Sequence, residues 1–361
     1  MRRHDILIQE HYRPLYDLEN RFSTDVQYPQ MLMFIGGREK TDCQKTLFSA
    51  KGTHGHNMIH LRSNLDVPTR TPILIADCEL HRAPRLSKAL WDRLPPGVEQ
   101  HSLRWHQNLP SAFQPSVLAN LVYSKLILPF TNITCIFADD FGGTREAAKV
   151  LASWILSLGG RSLDLPVAAY PRIFILQQWT DPIGTFDEKL ATLAFVEELR
   201  RQTNLARRGE RDMDEFQFSS LLRRQFSELS VLTLPMTNYG KDGLRQTQRL
   251  RERLLQESRE VQELRHREQV AFSTGHYEAF FHLACCHFAS DMVAPFDFIA
   301  ATRIANPIPD KFSSHLLNFV RLAPSQGLMV FTLPFIASAF HLDGFPPDMH
   351  SKFGAESLGQ S

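Results

Sequence analysis

Five short runs in this chain are apolar at nearly every position, and each ends in a polar or glycine-bearing turn. They are Met31-Leu32-Met33-Phe34-Ile35, Ile73-Leu74-Ile75-Ala76, Ile133-Thr134-Cys135-Ile136-Phe137, Ile173-Phe174-Ile175-Leu176 and Val231-Leu232-Thr233-Leu234. A strand with one wet face alternates apolar and polar residues, whereas a nearly continuous apolar run belongs to a strand covered on both faces, as in a parallel sheet flanked by helices. Between the third and fourth runs, Ala148, Leu151, Ala152, Ile155 and Leu158 recur at spacings of three and four. That spacing predicts a helix over Arg145 to Leu158, stopped by Gly159-Gly160. Strand-length runs alternating with helical patterns define an α/β fold.

The texture changes after Pro235. Glycines become sparse, and the charged segment Leu244 to Gln269 places Leu250, Leu254, Val261 and Leu264 at near-heptad spacing. Two readings fit it, a solvated helix with salt-bridged neighbours or a partner-binding coiled coil. Beyond it, His276 to Ala289 and Asp310 to Leu322 have helical patterns, and the aromatic-rich stretch Phe272 to Phe298 lacks interleaved basic residues, which marks a core. A length of 361 residues and 43% hydrophobic content suit about two domains.

Charge and cysteine content narrow the function classes. Forty basic and thirty-nine acidic residues leave a formal charge of +1, so no electrostatic case exists for nucleic-acid binding or a polybasic membrane surface. The first residues lack the apolar run of a signal peptide. The longest apolar stretch, Leu328 to Phe340, is too short to span a bilayer and reads as a buried helix or strand pair. The five cysteines include no C-x-x-C pair, which suits reduced thiols in the cytoplasm or nucleus.

The turn after the first apolar run carries the chemistry. A phosphate-binding loop has the pattern G-x-x-x-x-G-K-[ST]: its amides wrap the phosphates, the lysine reaches the β and γ oxygens, and the hydroxyl holds magnesium. Here Gly36 and Gly37 end the run, and Lys45-Thr46 stands further on. Counted back from Lys45, the required glycines fall on Glu39 and Gln44. Counted forward from Gly36, the loop is about three residues too long. The next run ends in Asp77-Cys78-Glu79-Leu80, where Asp77 would stand beside magnesium but Leu80 replaces the glycine of a GTPase D-x-x-G. Asp139 and Asp140 cap the following run, and Gln177-Gln178-Trp179-Thr180-Asp181 stands where a GTPase would carry the Asn-Lys-x-Asp that reads guanine. The sequence thus reads as a degenerate P-loop NTPase or GTPase-like α/β domain over 28–237, after an N-terminal extension over 1–27. A mainly helical domain over 238–350 and a flexible tail over 351–361 follow. Any retained nucleotide site would comprise Gly36, Gly37, Lys45 and Thr46, with Thr46 and Asp77 on magnesium and Asp139 or Asp140 as secondary candidates.

The segments Tyr28-Pro29-Gln30 with Phe34-Ile35-Gly36, Ile75-Ala76-Asp77-Cys78-Glu79, Cys135 to Gly143 with Trp154, and Ser338-Ala339-Phe340 with Phe345 to His350 together resemble the N-terminal region of a group of filamentous-fungal proteins. In that group a P-loop or GTPase-like domain and a helical segment often precede a patatin-like phospholipase domain. The resemblance implies that Gly36, Lys45, Thr46 and Asp77 match the group's nucleotide site. It also implies that the patatin part is missing, since the nearest approach to G-x-S-x-G is Ala355-Glu356-Ser357-Leu358-Gly359.

Three further clusters have both a chemical and a packing reading. His54, His56 and His60 could converge on a metal or line a polar strand face. His282 with Cys285-Cys286-His287 could pair a thiol with a base, or pack in a phenylalanine-rich helix. Arg200, Arg201, Arg207, Arg208 and Arg211 could meet a phosphate, or form a solvated loop among Glu197, Glu198, Glu210, Asp212 and Asp214. Two functions from different classes follow. One is a non-catalytic regulatory or scaffold protein with a protein partner, no certain cofactor and weak nucleotide affinity at most. The other is an active GTPase or ATPase using magnesium.

Overall fold

A computed structural model describes residues 7–11, 27–48, 59–64, 71–79, 98–105, 115–158, 165–179, 185–207, 211–234, 240–268, 270–292, 294–298, 300–301, 310–322 and 328–343. In chain order the strands are β1 (Leu7–His11), β2 (Gln30–Gly36), β3 (Ile59–Asn64), β4 (Ile73–Glu79), β5 (Val98–Ser102), β6 (Ile133–Phe137), β7 (Arg172–Gln178) and β8 (Glu228–Leu234). The helices are α1 (Arg38–Phe48), α2 (Pro115–Leu121), α3 (Ala138–Phe141), α4 (Thr144–Ser157), α5 (Glu188–Ala206), α6 (Glu215–Arg223), α7 (Gly240–Arg267), α8 (Thr274–Ser290), α9 (Phe312–Leu322) and α10 (Leu333–Asp343). The fold is α/β, and all five apolar runs are strands.

Six strands form one mixed sheet in the order β3-β4-β2-β6-β7-β8, parallel throughout except for β3 against β4. Both faces of the parallel strands are covered, which explains their continuous apolar character. Met31, Met33 and Ile35 of β2 join one apolar cluster with Ala148, Leu151 and Ile155 of α4 and Leu199 of α5. Leu32 and Phe34, pointing the other way, join a second cluster with Leu47 and Phe48 of α1 and Leu250 and Leu254 of α7. Each such buried Met, Leu, Ile or Phe side chain is worth about 1.5–3 kcal/mol relative to exposure.

The charged helix α7 therefore turns its near-heptad stripe onto its own sheet: Leu250, Leu254 and Val261 are buried, with the contacts intramolecular rather than those of a coiled coil with another chain. It also satisfies polar groups at the amino ends of the strands. Asn132 accepts from the Met31 amide at 3.0 Å and donates to Gln262 at 2.9 Å. Arg172, at the start of β7, is bridged by Glu257 and Glu260. Arg265 is fully buried, donates to the carbonyls of Ala169 and Thr131 at 3.1 and 2.7 Å, and lies over the Phe272 ring.

Two expectations are corrected here. The stretch from Leu328 is neither a buried helix nor a strand pair: it is a π-helical turn (Leu328–Thr332) running into α10, with Val330, Phe331 and Phe335 exposed. Arg200 and Arg201 lie on a helix rather than a loop: α5 is capped by the Asp187 side chain and runs through them, and the surrounding acids Glu197 and Glu198 pair with them at i,i+3, each at 2.6 Å. The aromatic stretch forms a core as expected, with Phe272, Phe281, Phe296 and Phe298 around Phe130. The tail over 351–361, with its Ser357 motif, lies outside the described residues.

The chain order creates one topological switch point. From β2 the chain moves to β4 on one side of that strand, then crosses to β6 on the other. The helices that follow β2 and β6 pack on opposite faces of the sheet. A crevice for ligands in such sheets opens between the carboxyl ends of the two strands at the switch point. Here those ends carry Gly36-Gly37 and Asp139-Asp140.

Candidate functional site

The lengthened acidic loop expected between Gly36 and Lys45 is a helix. β2 ends at Gly36, Gly37 makes the bend, and α1 starts at Arg38. Lys45 and Thr46 consequently fall in the last turns of α1, about 10 Å along the axis from its start at 1.5 Å per residue. Both are exposed; Lys45 pairs with Asp42 at 3.7 Å, and the Thr46 hydroxyl donates to the Asp42 carbonyl at 2.8 Å. They do not join Gly36, Gly37 and Asp77.

A different Lys-Thr pair stands at the helix start. Lys40 is buried, and its ammonium bridges the Asp77 carboxylate at the end of β4 while donating to the Cys78 carbonyl at 3.0 Å. Asp77 also accepts from Arg62 of β3 at 3.3 Å. The Thr41 hydroxyl, where a phosphate-binding loop would present a magnesium ligand, donates to the Gly37 carbonyl at 2.8 Å. Lys40-Thr41 departs from the motif because Glu39, rather than a glycine, precedes the lysine. Its signal was its place, three residues after Gly37 and ahead of the apolar Leu47-Phe48.

The amides at the start of α1 form an anion site, and that site holds an anion supplied by the chain. The Asp140 carboxylate accepts from the amides of Gly37 at 2.7 Å, Glu39 at 3.0 Å and Lys40 at 3.0 Å. Free amides and the helix dipole favour negative charge at such a position. The glycine at 36 serves this contact: a Cβ there would come within 2.5 Å of the Asp140 oxygen and 2.9 Å of the Lys40 Cβ. The close approach that a phosphate would demand of a glycine is here demanded by a carboxylate. Asp139 points elsewhere and accepts from the Gln178 amide at 2.6 Å, tying the ends of β6 and β7. The sequence candidates Asp139 and Asp140 are thus both engaged by backbone amides of neighbouring elements.

The site is charge-balanced internally, Lys40 and Arg62 facing Asp77 while Asp140 sits on the helix amides. His60 lies opposite Asp77 in the register of β3 and β4. Burial, with Arg62 and Lys40 adding to it, pulls its pKa below the usual imidazole value. The Tyr123 hydroxyl donates to the Glu79 carbonyl at 2.6 Å, and burial raises its pKa well above the phenol range. The thiol of Cys78 is likewise pushed far up by burial, which makes it an inert core group. Of the other sequence candidates, Gln177, Gln178 and Trp179 end β7 and its turn, whereas Leu80, Thr180, Asp181, His54 and His56 lie outside the described residues. No protein-family model matches the chain, and no curated protein matches it in sequence.

Proposed function

We propose that this chain is a non-catalytic regulatory or scaffold protein built on a degenerate nucleotide-binding domain of the P-loop or GTPase-like type. One observation carries the reading: the Asp140 carboxylate already holds three amides at the turn into α1 that a phosphate would need. A polyphosphate would have to displace a tethered carboxylate and also draw Lys40 from a buried pair with Asp77. Turnover would need both rearrangements, together with a free Thr41 hydroxyl for magnesium.

A strand–Gly–helix turn at the switch point, a Lys-Thr pair in the first helical turn and an acidic residue ending the neighbouring strand support the P-loop ancestry. The antiparallel β3 at the sheet edge supports its GTPase-like form. The resemblance to the fungal proteins with patatin-like domains belongs to the same reading. In it, neither magnesium nor GTP or ATP is required, and the work is done by contact with a protein partner. α9 and α10 meet through Phe319 and Phe335, with ring centroids 6.1 Å apart. They leave Leu322, Val330, Phe331 and Phe335 exposed, a surface suited to a partner. No helix among the described residues is long and apolar enough to cross a membrane. The five free cysteines suit a reducing compartment, and on that ground we assign the protein to the cytoplasm.

The test is a titration of fluorescent GTP and ATP analogues with magnesium against wild type, Lys40→Ala and Thr41→Ala, the last leaving the buried ion pair in place. No saturable binding at millimolar nucleotide is expected. Tight, saturable binding to wild type that both variants lose, accompanied by magnesium-dependent phosphate release, would sink the proposal in favour of the active-NTPase alternative.

A further inference from the structure

A second cluster lies away from the switch-point crevice, where the small sheet β1-β5 meets α8. β1 and β5 are antiparallel, with Glu10 directly opposite Glu99 and Ile8 opposite His101. Glu99 and His101 are two residues apart on β5 and share a face with Glu10. His282 projects onto that face from α8. The contacts are His101 Nε2 to Glu10 Oε2 at 2.9 Å, His282 Nδ1 to the same oxygen at 3.1 Å and His282 Nδ1 to Glu99 Oε2 at 3.4 Å. Ligand atoms of all four residues lie within 4.8 Å of one another.

We infer that Glu10, Glu99, His101 and His282 form a closed, four-ligand binding site for a divalent metal ion of the zinc class. Ligands at zinc distances of 2.0–2.2 Å stand about 3.3–3.6 Å apart along the edges of a tetrahedron. The three contacts at 2.9, 3.1 and 3.4 Å need an outward adjustment of a few tenths of an ångström to admit the ion, and the wider spacings, up to 4.8 Å, an inward one. Electrostatics favours it too. Two carboxylates opposite one another on neighbouring strands repel, and Glu10 is buried, which strengthens the repulsion. A doubly charged cation cancels both. The ligand chemistry selects the metal, since two imidazoles and two carboxylates suit zinc, whereas calcium and magnesium prefer shells made of oxygen.

The remaining ring nitrogens have a common neighbour. Cys286 Sγ lies 3.7 Å from His101 Nδ1 and 3.7 Å from His282 Nε2, so the thiol stands behind both imidazoles and orients them. The thiol-and-base reading of this segment is replaced by one in which His282 ligates and Cys286 positions. A two-stranded sheet is marginal by itself. The ion would clip β1 to a helix whose ligand lies 272 positions further along the chain.

The experiment uses the full chain without an affinity tag, stripped with chelator and titrated with Zn²⁺ and with Co²⁺, whose visible absorption reports tetrahedral coordination. Wild type, His282→Ala and Glu99→Gln are compared, with His315→Ala as a control outside the site. One ion per chain, a tetrahedral cobalt spectrum, a metal-dependent rise in Tm and at least tenfold weaker binding in both site variants are expected. Absence of saturable binding up to 1 mM metal, or undiminished affinity in either site variant, overturns the assignment and leaves imidazole–carboxylate hydrogen bonds alone.

Discussion

Replacing Asp140 with alanine tests directly whether the chain supplies its own anion at the switch point. The substitution removes the acceptor of three amides, those of Gly37, Glu39 and Lys40. Hydrogen bonds to a charged group contribute about 1.5–3 kcal/mol each when desolvated, which sets a ceiling of about 4.5–9 kcal/mol. Asp140 is half-buried, so water reaches the vacated amides and most of that ceiling is recovered. Loss of a helix-capping side chain costs about 1–2 kcal/mol, and loss of a negative charge at a helix start about 0.3–1 kcal/mol more. The expected destabilisation is therefore about 1.3–3 kcal/mol. Asp140→Asn, which keeps an oxygen but not the charge, should cost about half as much. Urea unfolding followed by tryptophan fluorescence measures the difference, with buried Trp154 as a core reporter. Millimolar phosphate should raise the midpoint of Asp140→Ala and leave wild type unchanged, because only the variant presents open amides. An Asp140→Ala protein within about 0.5 kcal/mol of wild type, or a phosphate effect equal in the two proteins, would refute the reasoning.

Two further perturbations address other parts of the molecule. Arg265→Met removes a buried cation and leaves the carbonyls of Ala169 and Thr131 without their donor. Its cost should be about 3–5 kcal/mol by urea unfolding, and a loss below about 1 kcal/mol would show that α7 does not seal the sheet through this side chain. His60 has a lowered folded pKa against an unfolded value of about 6.5. Below that pH the unfolded chain takes up a proton that the folded ring resists, so stability falls as pH drops from about 7. His60→Gln should flatten the stability curve between about pH 7 and 5 relative to wild type, and parallel curves would show that the ring is not a source of acid sensitivity.

The strands of the main sheet were legible because burial on both faces writes itself as unbroken apolar runs, as in Ile133 to Phe137. Strands β1 and β5 were not, since sequences such as Val98-Glu99-Gln100-His101-Ser102 combine edge exposure with polar contacts that arise from distant partners, and of β3 only the polar strand face at His60 could be read. Helix α1 is hidden by its polar first turns. With Arg38, Glu39, Lys40, Thr41 and Asp42 in succession it reads as a polar loop, and its buried side, Lys40, Gln44, Leu47 and Phe48, has a lysine where a hydrophobe is expected. Asp77, Asp139 and Asp140 were visible as strand-end acids, but their partners lie up to 103 positions away and no local pattern encodes them. The glutamate and histidine cluster spans β1, β5 and α8, so its members stand in three unrelated contexts and only tertiary structure unites them.

The tethering of Asp140 has a thermodynamic consequence for how such a domain can be regulated. A protein that binds a free ligand gains stability as RT ln(1 + [L]/Kd), so its folded and ordered populations follow the cellular concentration of that ligand. A carboxylate on the same chain has an effective concentration fixed by the fold, and the corresponding free-energy gain is constant. Any external phosphate must first displace it, which lowers apparent affinity by the fraction of molecules with the amides open. If the proposed reading holds, the domain is accordingly buffered against the nucleotide pool, and signals that alter its behaviour have to arrive through its surface.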